Sequence, residues 1–187
     1  ALVKARGEWV GFLDVDDVWL PQKLEINLKE VDNCASPVDF IYSRCEFFSN
    51  KFSSTDKVKI LGIYPKGRKL PASNLYDILF FGNITPFSSV LYRRESIENI
   101  GGIPNYRFSP DYFLAMSLSR DGNVLAIDKT LCRYRLSEGS MSSRFRAVGW
   151  QESVDINKNF ANLDCDAKKS TPMIAAYVCF CLLKGDY

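Results

Sequence analysis

Three carboxylates, Asp14, Asp16 and Asp17, follow an apolar stretch in the run FLDVDDVWLP, residues 12–21. At neutral pH acids this close together repel, and the repulsion has to be offset by a cation, by hydrogen-bond donors or by full solvation. Oxygen ligands on a turn suit the hard ions Mg²⁺ and Mn²⁺, which keep part of their coordination sphere for water and substrate phosphate. The substrate implied is a phosphate ester. The competing reading is a solvated acidic turn that starts a helix at Pro21, because acids near a helix N-terminus are favoured in any case. A motif this short does not choose between the two.

Two other groups carry potential chemistry. Asp111 follows Ser109 and Pro110 at the start of a predicted helix. Helix position lowers the pKa of such an acid and burial raises it, so it is either a general base or an ordinary helix-start acid. Arg133 and Arg135 precede a Ser- and Gly-rich turn that contains Ser140. The guanidinium fork fits the oxygens of a diphosphate, and the alternative is an exposed strand with solvated charges. The aromatics Trp9, Trp19, Phe80, Phe81 and Phe87 read as core rather than as sugar-stacking platforms. The chain has no histidine, which excludes Ser-His-Asp and Cys-His catalysis within it and zinc sites that need imidazole.

These residues must be positioned by an alternation of strands and helices, which predicts an α/β fold. Residues 9–15 read as a buried strand, followed by a helix from Pro21 with Leu24, Leu28 and Val31 on one stripe and its end at Asn33. A second strand covers 38–48, and 51–70 is a long polar loop. Ser73 is expected to cap a short helix that carries Leu75, Ile78 and Leu79 and closes at Gly82. A strand over 88–92 leads into a short helix over 94–100, closed by Gly101 and Gly102. Ser109 and Pro110 open the helix that ends at Gly122. Two short strands, 124–127 and 131–136, precede a long amphipathic helix over 142–163.

With 187 residues, 47% of them apolar, the chain can bury one substantial core. Its 24 basic and 22 acidic residues are interspersed for a net charge of +2, with no basic block to track a nucleic-acid backbone. The six cysteines, Cys34, Cys45, Cys132, Cys165, Cys179 and Cys181, lack C-x-x-C spacing and are expected to be reduced, packed thiols of a cytosolic protein. Residues 1–5 read as the last turn of a helix, so the chain is expected to be an excerpt. The apolar stretch 173–183 is too short to span a bilayer, which takes roughly 20 residues.

The segments ARGEWVGFLDVDDVWLPQKLE, GNITPFSSVLYRRESIENIGGIPNYRFSPDYFLAMSLSRDG and YRLSEGSMSS together resemble the family-2 glycosyltransferases of the GT-A fold, from Ala1 to about Ser143. The resemblance implies a Rossmann-like mixed sheet flanked by helices and truncated at its N-terminus. The metal and acceptor half would occupy 1–143, and a helical extension 144–187. It also implies that Asp16 and Asp17, with Asp14 beside them, hold Mn²⁺ or Mg²⁺ on the diphosphate of a nucleotide-sugar. Asp111 would be the general base for inverting transfer to a saccharide or lipid-linked acceptor, and Arg133, Arg135 and Ser140 would bind substrate. No nucleic-acid partner is implied, and the setting is the cytoplasm, with peripheral contact at the inner membrane face.

Three departures accompany the likeness. Pro110 stands where an acid commonly precedes the base, no histidine lies near Ser137, and the nucleotide-reading first half of the fold is absent. Two rival readings remain. In a haloacid-dehalogenase-like phosphatase, Asp14 would be the nucleophile and Asp16 the acid; the other rival is a non-catalytic carbohydrate-binding or structural module.

Overall fold

The computed structural model describes residues 2–49, 69–137, 140 and 144–164. Its elements are β1 (Trp9–Gly11), β2 (Val18–Trp19), α1 (Lys23–Asp32), β3 (Phe40–Phe48), α2 (Leu75–Leu79), β4 (Val90–Arg93), α3 (Arg94–Asn99), α4 (Pro110–Asp121), β5 (Val124–Arg135) and α5 (Arg146–Leu163). Short 3₁₀ turns lie at Leu2–Lys4 and Phe87–Ser89.

The five strands form one mixed sheet in the order β1-β4-β3-β5-β2. Only the β3·β5 pairing is parallel; the other three are antiparallel. The parallel pair is joined by a crossover through α2, β4, α3 and α4, as such a pair requires. Helices cover both faces. On one, Phe40, Tyr42, Val90 and Tyr92 of the sheet pack with Leu75 and Leu79 of α2, Leu114, Met116 and Leu118 of α4, and Ile156 and Phe160 of α5. On the other, Ile41, Leu91, Ile127 and Leu131 pack with Trp9, Trp19, and Ile26 and Val31 of α1. This mixed, helix-flanked sheet is consistent with a GT-A-like, Rossmann-like fold.

Several elements differ from expectation. The strand expected over 9–15 ends at Gly11; the chain then crosses the end of the sheet and rejoins it at the opposite edge as β2. A strand continued to Val15 would carry Asp14 into the ladder, whereas the turn closed by Asp17 N–H donating to Asp14 O (3.0 Å) leaves the acids outside it. Helix α1 begins at Lys23, two residues after Pro21, and does end at Asn33. Its buried positions are Lys23 and Asn27, while Leu24 and Leu28 are exposed. The stripe is rotated by about one residue, roughly 100° on a helix, because Ile26 and Val31 take the contacts to the sheet.

Ser73 does not cap α2; Asn74 holds that position without a side-chain bond. The strands expected over 124–127 and 131–136 are one strand, and its β3 pairing shifts register around Arg44. The long helix starts at Arg146, with Ile156 and Phe160 buried and Val148 exposed. The expected loop falls mostly on 51–68, which lies outside the described residues, as do Ser142 and the stretch 173–183.

The cysteine expectation is also corrected. Cys45 and Cys132 are direct partners in the parallel register, with Cα atoms 4.9 Å apart, and form a disulfide. They are 87 positions apart in sequence, so only the strand pairing brings them together. Cys34 is free, and Cys165, Cys179 and Cys181 lie outside the described residues. Among the described residues no helix is long and apolar enough to cross a membrane.

Gly11 ties this fold to the acidic turn. A Cβ there would lie 2.5 Å from Cη2 of Trp19 and 2.7 Å from Cδ2 of Leu91. Gly11→Ala is therefore expected to destabilise the fold by about 1–3 kcal/mol and to perturb tryptophan fluorescence. Urea unfolding monitored by fluorescence checks it, and an unchanged midpoint would mean that the indole does not pack over Gly11.

Candidate active site

The acidic turn crosses the ends of the sheet where the parallel strands β3 and β5 finish, the edge at which open α/β folds bind ligands. It is tied down from below. The backbone N–H of Asp14 donates to Ser88 Oγ (3.2 Å), the Trp19 indole N–H donates to the Ser88 carbonyl (2.7 Å), and Lys23 Nζ donates to the Ser89 carbonyl (2.8 Å). Ser88, Ser89 and Lys23 are all buried. Burial lowers the Lys23 pKa to about 8, so the ammonium is still largely charged at neutral pH, with the Trp19 ring 5.5 Å away.

The three aspartates are placed differently. Asp17 is only 7% exposed; its Oδ1 accepts the Arg135 backbone N–H (2.9 Å), and its Oδ2 is buried without a hydrogen-bond partner. Burial raises its pKa, opposed by the Ser88 hydroxyl and the Arg135 N–H. Asp14 lies at the open side, and its pKa is raised first by burial, then by Asp17 and Asp16. Asp16 is half-buried, and its carbonyl accepts from Arg135 Nε (3.2 Å).

Asp111 sits in the first turn of α4. The competition between helix position and burial is decided for burial, which pushes its pKa up to about 6; backbone N–H groups and Asn83 lower it, and the nearby Asp14 raises it further. The turn and the helix start are thus close enough to act electrostatically on each other. Asn83 Nδ2 donates to Asp111 Oδ2 (2.7 Å), while Asn83 Oδ1 accepts from both the Thr85 N–H (2.9 Å) and the Thr85 hydroxyl (2.8 Å). Those two donors fix the orientation of the amide, so its NH₂ must face Asp111. Next to the carboxylate, the Tyr92 hydroxyl is buried without a partner, and burial and the Asp111 charge hold its pKa well above 10.

The arginines divide. Arg135 lies against the acidic turn with its guanidinium 4.5 Å from the Phe48 ring, whereas Arg133 is turned to Glu46 (2.8 Å). Ser140 donates its N–H to Ser137 O (3.2 Å), and its neighbours 138, 139 and 141–143 lie outside the described residues. Of the expected aromatics, Phe80 is core, Phe81 is exposed, and Phe87 stacks on Phe12 (4.1 Å). Asn83, Ser88 and Lys23 carried no role in the sequence reading. The signal for Asn83 is its place after Gly82, whose φ of 137° ends the α2 region.

Chemically, the site sets a turn of three acids, which among the described residues form no converging metal site, beside a carboxylate of raised pKa able to accept a proton. No family model matches the chain. It is similar to a UDP-Glc:alpha-D-GlcNAc-diphosphoundecaprenol beta-1,3-glucosyltransferase of Escherichia coli, 30% identical over 82% of this chain and 56% of that protein. It is also similar to a Bacillus subtilis protein provisionally named a teichuronic acid biosynthesis glycosyltransferase, 30% identical over 76% of this chain and 52% of that one. An uncharacterized Nostoc glycosyltransferase is 28% identical over 71% of this chain and 40% of its own length. The chain thus spans about half the length of the curated relatives it matches.

The raised Asp111 pKa has a stability consequence. The native state holds this proton more tightly than the unfolded chain, so stability rises as pH falls from about 6 towards 3.8 and is lowest above 6. Asp111→Asn removes the buried charge. It is expected to stabilise the fold by about 1–2 kcal/mol at pH 7.5, of the roughly 3 kcal/mol that two pK units allow, and by much less at pH 4.5. Thermal unfolding at the two pH values checks this, and a variant less stable than wild type at pH 7.5 contradicts the burial argument.

Proposed function

We propose that the chain is the metal- and acceptor-binding part of a family-2 glycosyltransferase, moving a sugar with inversion from a nucleotide-diphosphate-sugar to an acceptor hydroxyl in polysaccharide or glycolipid biosynthesis. The observation that carries this reading is the juxtaposition of Asp111, its pKa near 6, with the acidic turn through Asp14. The named relatives, all glycosyltransferases, support it. The name of the E. coli relative, whose acceptor is a sugar on diphosphoundecaprenol, favours a lipid-linked saccharide acceptor and hence work at a membrane surface.

Above pH 6 Asp111 is ionised and takes the proton of the acceptor hydroxyl as its oxygen attacks the anomeric carbon. The bond from that carbon to the diphosphate oxygen breaks on the opposite side, and the nucleoside diphosphate leaves. Asn83 and backbone N–H groups hold the Asp111 carboxylate in one orientation. Arg135, which lies beside the turn, would meet the diphosphate there.

The donor set fits Mn²⁺ or Mg²⁺. Asp14 is exposed and Asp16 half-buried, so their carboxylates are the accessible ones, whereas the unpartnered Asp17 Oδ2 is buried. Among the described residues no group of three or more such side chains converges as a metal site, so an ion here would draw on at most two of these carboxylates and take its remaining ligands from water and substrate phosphate. When bound, the ion supplies charge neutralisation for the departing diphosphate.

A screen of nucleotide-sugars with the full-length protein, with and without Mn²⁺, tests the reading; transfer is expected only with the metal and to be lost in EDTA. Asp14→Asn and Asp16→Asn are expected to weaken metal-dependent nucleotide binding by about tenfold or more. Asp111→Asn should leave that binding within about twofold and lower kcat by about 10²- to 10⁴-fold. Normal transfer by the Asp111 variant would remove it as the base, and transfer indifferent to chelators would remove the metal.

A further inference from the structure

The segment that leads into α4 is held by a carboxylate from a distant element. Glu152 of α5 accepts the backbone N–H groups of three successive residues: Arg107 to Oε1 (3.0 Å), and Phe108 (2.8 Å) and Ser109 (2.9 Å) to Oε2. The Ser109 hydroxyl does not cap its own helix; it donates to the Gly149 carbonyl (3.2 Å) and meets Ser153 Oγ (3.3 Å). Gly149 lets the two segments approach, since a Cβ there would stand 3.3 Å from Phe108 Cβ. One turn further along each helix, the Tyr112 hydroxyl bonds Asn157 Oδ1 (2.6 Å).

Residues 149, 152, 153 and 157 thus form one stripe of α5 against the start of α4. A single residue, Pro110, separates the clamped Ser109 from Asp111, and its φ is fixed, so little slack remains between clamp and carboxylate. Charge-assisted hydrogen bonds to backbone N–H groups are among the stronger ones available, and a negative group at this end of α4 also complements the helix dipole.

We propose that Glu152 is a positioning residue that sets where Asp111 stands by gripping the backbone of residues 107–109, so that α5 completes the reactive site instead of merely covering the core. This inference rests on Asp111 being the base of sugar transfer. Glu152 touches neither substrate nor the reacting atoms; it acts through the loop.

The test uses the full-length protein with its best nucleotide-sugar donor, comparing wild type, Glu152→Gln and Glu152→Asp. Two readouts are needed: steady-state transfer, and hydrogen exchange of the 107–109 amides. In Glu152→Gln, one of the two acceptor oxygens becomes an NH₂ that faces N–H groups. Exchange of these amides should therefore quicken at least tenfold, and kcat should fall about 10- to 100-fold, the scale of a misplacement near 1 Å. Donor KM should stay within about twofold, and Glu152→Asp should recover part of the kcat.

Wild-type kcat in Glu152→Gln despite quickened exchange overturns the positioning role, and unchanged exchange overturns the clamp itself. If Glu152→Gln does not fold, Glu152→Asp carries both readouts, with full kcat beside loosened amides again overturning the proposal. A wild-type protein that transfers no sugar removes the reading of Asp111 as a base and the positioning role with it, while exchange still decides whether the clamp exists.

Discussion

The site depends on the two oxygens of Ser88. Its hydroxyl accepts the Asp14 N–H and its carbonyl accepts the Trp19 indole, while the neighbouring Ser89 carbonyl takes the Lys23 ammonium. Two of these donors lie in the stretch that leaves the sheet at one edge and returns at the other, and the third, Lys23, opens α1 just after it. A neutral bond of this kind contributes about 0.5–1.5 kcal/mol net and one from a charged donor about 1.5–3, so together they supply several kcal/mol. Repulsion between carboxylates a few ångströms apart runs from about 1 kcal/mol in water to about 4 near a protein surface. The two are of one size, so the crossing stays tied to the 3₁₀ turn while its acids remain close together.

The anchoring also sorts the aspartates into different tasks. Asp17 faces inward, where one oxygen holds the Arg135 N–H and so fastens the turn to the end of β5. Asp14 is left exposed and Asp16 half-buried. Lys23, although cationic and nearby, is directed at neutral oxygens and the Trp19 ring. Its charge is used to hold backbone and does not neutralise the acids. A lysine paired directly with the cluster would have stabilised the turn and competed with any cation for it.

Local signals in the sequence were enough for what local physics determines. Pro110 and Gly122 bound α4, the left-handed Gly101 and Gly102 follow α3, and the helix after the acidic turn stops at Asn33. The alternation of elements was sufficient for the α/β class. What stayed hidden depends on pairings between distant parts of the chain. The stripe of α1 could not be phased without knowing that Ile26 and Val31 meet the sheet. Cys45 and Cys132 are neighbours only through the parallel register. Asn83 and Glu152 are ordinary polar residues until α4 is placed beside them, and the sign of the Asp111 shift required its burial.

That shift shows how two opposed effects place one acid. At the start of a helix a carboxylate is oriented by backbone N–H groups and favoured as the anion, which by itself would leave it too weak a base at neutral pH. Apolar surroundings alone would raise its pKa without fixing its direction. At Asp111 the first supplies orientation and the second supplies basicity, and burial exceeds the hydrogen bonds by enough to bring the pKa to about 6. The acid is then ionised at neutral pH yet only slightly below the point at which it would keep a proton, the range in which a base both exists in its active form and has a driving force for transfer. Asn83 belongs to the same balance: its donated hydrogen bond lowers the pKa and helps orient the carboxylate, and Thr85 keeps it from turning its own oxygen to the carboxylate.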